Sequence, residues 1–147
     1  MGSEDRYRLA AVRDVRARTE KTRKGELANA VGDAHETESR LAAAATRTQA
    51  AKTAWLAARA TRDTLLASGA TSTHLARADH FIERRRRELQ RAIAEEARCE
   101  TAHLERQGKV DAARLVLVRA RAEREIIERH FERWRSERKK LIERRED

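Results

Sequence analysis

The chain has 147 residues, of which 40% are charged and 39% are apolar, while only 3% are aromatic and none is proline. So few large side chains cannot fill the core of a globular domain with several layers at normal packing density. The prevalence of Ala, Arg, Glu and Leu is instead typical of long helices and coiled coils. We therefore expect an all-α protein in which residues 1–147 form a single domain.

The net charge of +9 comes from 34 basic and 25 acidic residues, and the excess is concentrated near the two chain ends. Residues 13–24 contain six basic and two acidic side chains, and residues 129–145 contain eight basic and three acidic side chains. If the two ends lie side by side, they form a strongly positive tip, which should attract an acidic surface.

The first predicted helix spans about residues 5–66 and carries a heptad stripe. One set of stripe positions recurs every seven residues, and a second set lies three residues after each of these. The two sets are Leu27, Ala34, Leu41, Thr48, Trp55 and Arg62, and Ala30, Thr37, Ala44, Ala51, Ala58 and Leu65. The pattern predicts that this helix packs against a partner helix along one face. Its small residues allow a close approach but bury little apolar area.

Small, turn-forming residues at 67–74 predict a reversal of the chain. A second helix, about residues 75–146, follows with a looser apolar stripe. Its members are Leu75, Ile82, Leu89, Ile93, Leu104, Leu115, Val118, Ile126, Ile127, Trp134 and Leu141. Because a short connection makes neighbouring helices antiparallel, we predict a long two-helix antiparallel coiled-coil hairpin with both chain ends at one tip.

Several kinds of chemistry lack the residues they need. Cys99 and His103 lie four residues apart, but they supply only two of the four ligands of a tetrahedral zinc ion. There is no glycine-rich phosphate-binding loop, and two helices offer no concave site for catalysis. We therefore expect a protein that is not an enzyme and that has no catalytic residue, metal or cofactor.

The location is predicted from what the sequence lacks and from its single cysteine. Cys99 is the only cysteine, so the chain cannot have an internal disulfide, which suits a reducing compartment. The sequence contains no run of 18 apolar residues that could span a membrane, and its first residues do not resemble a secretory signal. We expect a cytoplasmic protein without direct membrane insertion.

The rare aromatic residues are candidates for binding a partner. Phe81 and Ile82 are adjacent, so a two-helix structure cannot bury both of them fully. Phe81 therefore either packs against the first helix or provides an exposed anchor for another protein. Phe131 and Trp134 have the same two alternatives among the arginines near the end of the chain.

Three segments of the chain resemble the FliJ/YscO family, the stalk proteins of flagellar and injectisome type III export machines. The segments are the aromatic, basic and leucine-containing start at 7–13, the aromatic-apolar step at 78–82 and the charged ending at 131–141. The chain is also similar to the family over essentially its whole length, as a two-helix hairpin with a short polar loop.

The resemblance implies a non-enzymatic central stalk in the bacterial cytoplasm, peripheral to the export apparatus at the inner membrane. In the family, the paired terminal helices enter the pore of the hexameric export ATPase, and the part near the loop contacts the cytoplasmic domain of the export-gate protein. Export chaperones are further partners of some members. The residues expected to bind the ATPase are Arg13, Arg16, Lys21, Arg133, Arg135, Arg138 and Lys139. Phe81 and Ile82 are expected to bind the gate.

Two other functions are compatible with the same residues. One is a generic structural or adaptor coiled coil, which could dimerise through its alanine-rich seam. The other is a basic coiled coil that binds nucleic acid, which predicts an affinity that falls steeply with salt. The sequence leaves open both the choice between a flagellar and an injectisome system and the oligomeric state.

Overall fold

The computed structural model describes residues 6–146, which form two α-helices. Helix α1 spans Ala10–Ala67 and helix α2 spans Ser72–Glu146, and the two pack against each other as a helical hairpin. The all-α prediction is confirmed. Over the described residues, neither helix contains a stretch long and apolar enough to cross a membrane.

The connection between the helices is shorter than the predicted loop at 67–74 because both helices extend into it. Gly69 adopts a left-handed conformation with φ of 77°, and Ala70 N donates to Leu65 O at 3.0 Å, which ends α1. The Thr71 hydroxyl accepts a hydrogen bond from His74 N at 3.3 Å and so caps the start of α2. Residues 72–74, which sequence reasoning assigned to the loop, therefore form the first turn of α2.

The start of α1 also differs from the predicted bound. The helix was expected from about residue 5, which lies outside the described residues, but the observed helix begins at Ala10. Tyr7 lies before the helix, and its carbonyl oxygen accepts a hydrogen bond from Ala10 N at 3.2 Å. Its ring is buried, so the segment before α1 is anchored by packing of this side chain.

The chain divides into two compact units, which we describe separately. The terminal unit consists of the residues up to Gly32 and those from Gly108 onward, and the loop unit consists of Asp33–Gln107. The buried apolar residues of the terminal unit are Tyr7, Val110, Leu117, Ala120 and Ile127. Those of the loop unit are Ala44 and Ala58.

The heptad stripe predicted on α1 is confirmed. All twelve of its positions are buried or half-buried, and Ala44 and Ala58 are among the most deeply buried residues. The small side chains of this stripe allow a partner helix to approach closely. Thr37 is also buried, and its hydroxyl donates to the Ala34 carbonyl oxygen at 2.9 Å within the helix.

The apolar stripe predicted on α2 is partly wrong. Its members near the loop are half-buried as expected, and so is Trp134, while Ile127 is fully buried. Six members instead lie on the solvent side of the helix: Ile93, Leu104, Leu115, Val118, Ile126 and Leu141. The prediction failed because it joined two different surfaces of α2 into one stripe.

The face of α2 that packs inward keeps a three-four spacing along most of the helix, with many polar members. Its buried and half-buried residues are Leu75, Ala78, Ile82, Arg85, Leu89, Ala92, Glu96, Cys99, His103, Arg106, Val110, Ala113, Leu117, Ala120, Ile127, Phe131, Trp134 and Arg138. Arg124 occupies the same register but is exposed. Large apolar side chains are too few along this face for hydrophobicity alone to reveal it.

Polar residues on the two helices of the loop unit match one another across the contact. The Thr37 hydroxyl lies 2.9 Å from His103 Nδ1, and Arg106 donates to Asp33 Oδ2 at 3.1 Å. These pairs satisfy polar groups that would otherwise be costly to place in the contact. They explain why the inward face of α2 tolerates histidine and arginine.

Candidate functional site

An aromatic cluster holds the start of the chain against α2 in the terminal unit. The ring of Tyr7 lies 5.1 Å from that of Phe131 and 5.2 Å from that of Trp134, measured between centroids. The Tyr7 hydroxyl is 2.8 Å from Nδ1 of His130. Such aromatic contacts stabilise the packing beyond their burial of area, so this cluster anchors the segment before α1 on α2.

Two of the predicted site residues lie beside this cluster and are paired with carboxylates of α2. Arg13 donates two hydrogen bonds to Glu128, at 2.8 and 3.1 Å, and its guanidinium lies 3.9 Å from the centroid of Phe131. The bond from Arg13 lowers the pKa of Glu128 and raises the pKa of Arg13 itself. Arg16 pairs in the same way with Glu123. Because these charges are already balanced, both residues help to join the helices, and their role in binding a partner stays a prediction.

A buried carboxylate lies further along α1. Glu20 is only 7% exposed, accepts a hydrogen bond from Arg124 at 2.7 Å and lies 3.7 Å from Arg121. The Arg124 bond is the main reason that the pKa of Glu20 is below its ordinary value. The next residue, Lys21, is exposed.

Replacing Glu20 with glutamine is expected to lower the melting temperature by a few degrees at pH 7. A carboxyl group with a lowered folded-state pKa contributes stability above its ordinary pKa, and that contribution disappears as the pH falls through the lower value. The difference between wild type and Glu20→Gln should therefore shrink below about pH 4. Thermal unfolding followed by circular dichroism at several pH values measures it. Glu26→Gln, at an exposed glutamate of the same helix, is the control; a constant difference at all pH values would contradict the prediction.

The C-terminal turns of α2 form a surface that we call the basic end, residues 133–146. It contains seven basic and three acidic residues, and α2 continues here for twelve residues past the Tyr7–Trp134 contact. Leu141 and Ile142 within it are 53% and 46% exposed. Exposed apolar side chains among positive charges are suited to bind an acidic protein surface that has apolar patches.

The predicted ATPase-binding residues of the basic end have different surroundings. Arg133 and Arg135 are exposed and form no ion pair with any residue from 6 to 146. The Arg138 guanidinium lies 5.5 Å from the centroid of Trp134, and Lys139 lies 3.9 Å from a carboxylate oxygen of Glu143. The structure therefore brings these four residues together on the last turns of α2.

The two residues predicted to bind the gate lie in the loop unit. Phe81 is 39% exposed, and the guanidinium groups of Arg85 and Arg84 lie 4.9 and 5.9 Å from its ring centroid. Ile82 is half-buried and belongs to the inward face of α2. Phe81 is thus an accessible aromatic ring bordered by positive charge, and Ile82 mainly supports the packing of the helices.

The part of the chain from residue 6 to residue 146 contains no group of three histidine, cysteine, aspartate or glutamate side chains that could hold a metal ion. Cys99 has its sulfur 3.9 Å from Oε1 of Glu95 and lies half-buried. Trp55 is half-buried as predicted, and its indole nitrogen has no hydrogen-bond partner among these residues. The guanidinium nearest its ring is that of Arg59, at 5.0 Å.

Sequence reasoning missed the long-range contacts of three residues in the terminal unit, namely Tyr7, Glu20 and His130. Each contacts a residue that lies about equally far from the loop along the other arm of the chain. A search for complementary polar and aromatic pairs at equal distances from the predicted reversal would have found them. Hydrophobic periodicity could not, because none of the three is a large aliphatic residue.

Comparison of the chain with protein-family models, with curated proteins and with solved structures finds no match. Only the resemblance noted in the sequence and the surfaces of the two units therefore bear on what this protein binds.

Proposed function

We propose that this chain is the non-enzymatic central stalk of a type III protein export apparatus. In this proposal the basic end inserts into the pore of a hexameric export ATPase, and the part near the loop binds the cytoplasmic domain of the export-gate protein. The observation that carries the proposal is the basic end, where exposed arginines and exposed apolar residues occur together on the final turns of a long helix.

The proposal includes an antiparallel coiled coil as the architecture of the stalk. Both helices carry a seven-residue spacing on the face that packs inward, which is the pattern of a left-handed coiled coil. In each unit, a residue that lies later in α1 contacts a residue that lies earlier in α2. Arg13 pairs with Glu128 and Glu20 with Arg124 in the terminal unit, and this order supports antiparallel helices.

The basic end is suited to enter a ring because two of its arginines are exposed and its scaffold is fixed. Arg133 and Arg135 have no ion pair within residues 6–146, so they can form new pairs with acidic residues of a partner at little cost. The aromatic contacts of Tyr7 and the Arg13–Glu128 pair hold the two helices together just before this segment. A preorganised segment loses less conformational entropy when it binds.

Residues outside the basic end are assigned to the other contacts of the stalk. Phe81, with Ile82 supporting it, is assigned to the gate protein because its ring is accessible near the loop. Lys21 is exposed on α1 and is assigned to the ATPase together with Arg13 and Arg16. Export chaperones are further candidate partners. The protein is placed in the bacterial cytoplasm, at the membrane-associated export apparatus.

Mixing the purified chain with its cognate export ATPase should raise ATP hydrolysis or promote assembly of the hexamer. Replacing both Arg133 and Arg135 with glutamate should raise the concentration needed for half-maximal activation on the order of tenfold, because two attractive contacts become repulsive. The wild-type effect should also weaken with rising salt, since exposed charges are screened.

A matched control reverses the same number of exposed arginines near the loop, in the variant Arg77→Glu/Arg84→Glu, which should activate the ATPase like the wild type. Equal weakening by both double variants would indicate a nonspecific charge effect and contradict the assignment of the basic end. Absence of any effect of the wild type on hydrolysis or assembly would contradict the proposed function itself.

A further inference from the structure

The ion pairs of the loop unit leave three arginines of α2 unpaired, and these three lie seven residues apart. From residue 77 to residue 91 the helix carries six arginines and three carboxylates. Each carboxylate already has a partner, in the pairs Arg62–Asp79 at 2.5 Å, Arg86–Glu83 at 2.6 Å, Arg87–Glu83 at 3.4 Å and Arg85–Glu88 at 2.7 Å. The arginines that form no ion pair with any residue from 6 to 146 are Arg77, Arg84 and Arg91. The positive charge of these three arginines is therefore available to a partner.

The interval of seven residues places the three arginines along one side of α2. Seven residues make almost two turns, so each arginine lies about 10.5 Å further along the helix and is rotated by only about 20°. All three are exposed. We call the surface formed by Arg77, Arg84 and Arg91 the arginine stripe, which is about 21 Å long.

The other side chains on this side of α2 do not cancel its charge. The positions one turn away from the central arginine of the stripe are His80, Phe81, Arg87 and Glu88. Glu88 is the only acidic residue among these four, and it is the partner of Arg85. The arginine stripe therefore stays positive when every neighbour on the same side is counted.

Phe81 adds an apolar contact point inside the arginine stripe. Its ring is 39% exposed, and the guanidinium of Arg84 lies 5.9 Å from the ring centroid. An aliphatic side chain of a partner can pack on this ring while a neighbouring carboxylate pairs with Arg84.

We propose that the arginine stripe binds an α-helix of a partner protein whose carboxylates recur every seven residues. Such a helix, lying along α2, brings one carboxylate to each arginine because both surfaces repeat at about 10.5 Å. An extended strand does not match, because its side chains on one face recur at about 6.7 Å. The spacing of the stripe thus selects an acidic helix over an extended acidic segment.

The composition of the contact predicts a moderate affinity. Exposed ion pairs contribute little individually, and salt screens them. We expect a dissociation constant on the order of 10 to 100 micromolar at low salt. This inference rests on the proposed function only for the identity of the partner, which would be the one that binds near the loop. The basic end takes no part in it.

Two synthetic peptides test the spacing of the contact. Both are helices based on alanine and glutamine, and both contain three glutamates and one leucine. In the first peptide the glutamates lie seven residues apart, with the leucine one turn from the central glutamate. In the second they lie five residues apart, which spreads them around the helix. Fluorescence anisotropy of the labelled peptides, titrated with the full chain, should show at least about fivefold tighter binding of the first.

Variants of the chain test the position of the contact. Arg77→Gln/Arg91→Gln should weaken binding of the first peptide about fivefold, because two exposed ion pairs are lost. The matched control, Arg18→Gln/Arg119→Gln, removes two exposed arginines of the terminal unit and should bind like the wild type. Phe81→Ala should also weaken binding on the order of fivefold. Circular dichroism should show the same helix content for all these chains.

Equal binding of the two peptides, or equal weakening by the two double variants, would show a nonspecific attraction of charge and overturn the proposal. Absence of binding up to about 500 micromolar chain would overturn it as well. Tighter binding of a single-stranded oligonucleotide of equal charge, lost in Arg77→Gln/Arg91→Gln, would make nucleic acid the partner instead. None of these results bears on activation of the ATPase by the basic end, so failure of this inference is distinguishable from failure of the proposed function.

Discussion

Replacing Tyr7 with alanine is expected to lower the free energy of unfolding by about 3 kcal/mol, since a buried aromatic ring is lost together with its contacts. The ring is 7% exposed and packs on Phe131 and Trp134, and its hydroxyl lies 2.8 Å from His130. Urea unfolding followed by circular dichroism measures the change. Amide hydrogen exchange should also become faster in the first turns of α1, because Tyr7 anchors the segment that leads into this helix.

The variant Tyr7→Phe separates the two contributions of this residue. It keeps the ring contacts and removes only the hydroxyl, so it should cost about 1 kcal/mol. A loss below about 1 kcal/mol for Tyr7→Ala, with unchanged exchange in α1, would show that the cluster does not anchor the start of the chain. The proposed insertion of the basic end would then lose the fixed scaffold on which it depends.

The contact face of α1 could be predicted from the sequence because its spacing is regular over more than five heptads. Alanine, leucine and threonine occupy ten of its twelve positions. Ala44 and Ala58 are buried where the pattern places them. A seven-residue repeat is informative even when its members are small, because it recurs over many turns of the helix.

The contact face of α2 could not be predicted in the same way, since its largest aliphatic residues serve two sides of the helix. Leu117 and Ile127 face α1, whereas Leu115 and Ile126, one or two positions away, face solvent. Hydrophobicity does not separate such neighbours. The polar members of the inward face, such as His103, are recognisable only once their partners on α1 are known.

The positive charge of the candidate site could be predicted from the sequence, but the contacts that hold its two helices together could not. The positive excess near both chain ends is a direct property of the composition, and Arg133, Arg135, Arg138 and Lys139 do lie together at the end of α2. The pairing of Arg13 with Glu128 depends on the register of the two helices. Neither helix alone specifies this register, and a shift of one helix by one residue relative to the other would give different pairs.

Replacing Ala44 with glutamate is expected to lower the free energy of unfolding on the order of 3 kcal/mol, because a charge enters a contact without a partner. Ala44 is 1% exposed, the lowest value among the buried residues of the loop unit. The neighbouring Ala43 is exposed on the same helix, so Ala43→Glu changes composition, charge and helix propensity equally.

The two variants change α1 itself equally, so a difference between their free energies of unfolding reports only the contact between the helices. Ala43→Glu should change the free energy of unfolding by less than about 0.5 kcal/mol, as is usual for surface positions. Urea denaturation followed by circular dichroism, at the same protein concentration for both variants, measures the two free energies of unfolding. Equal losses at the two positions would mean that the helices do not pack through Ala44. The buried alanines of α1 would then no longer account for the close approach of α2.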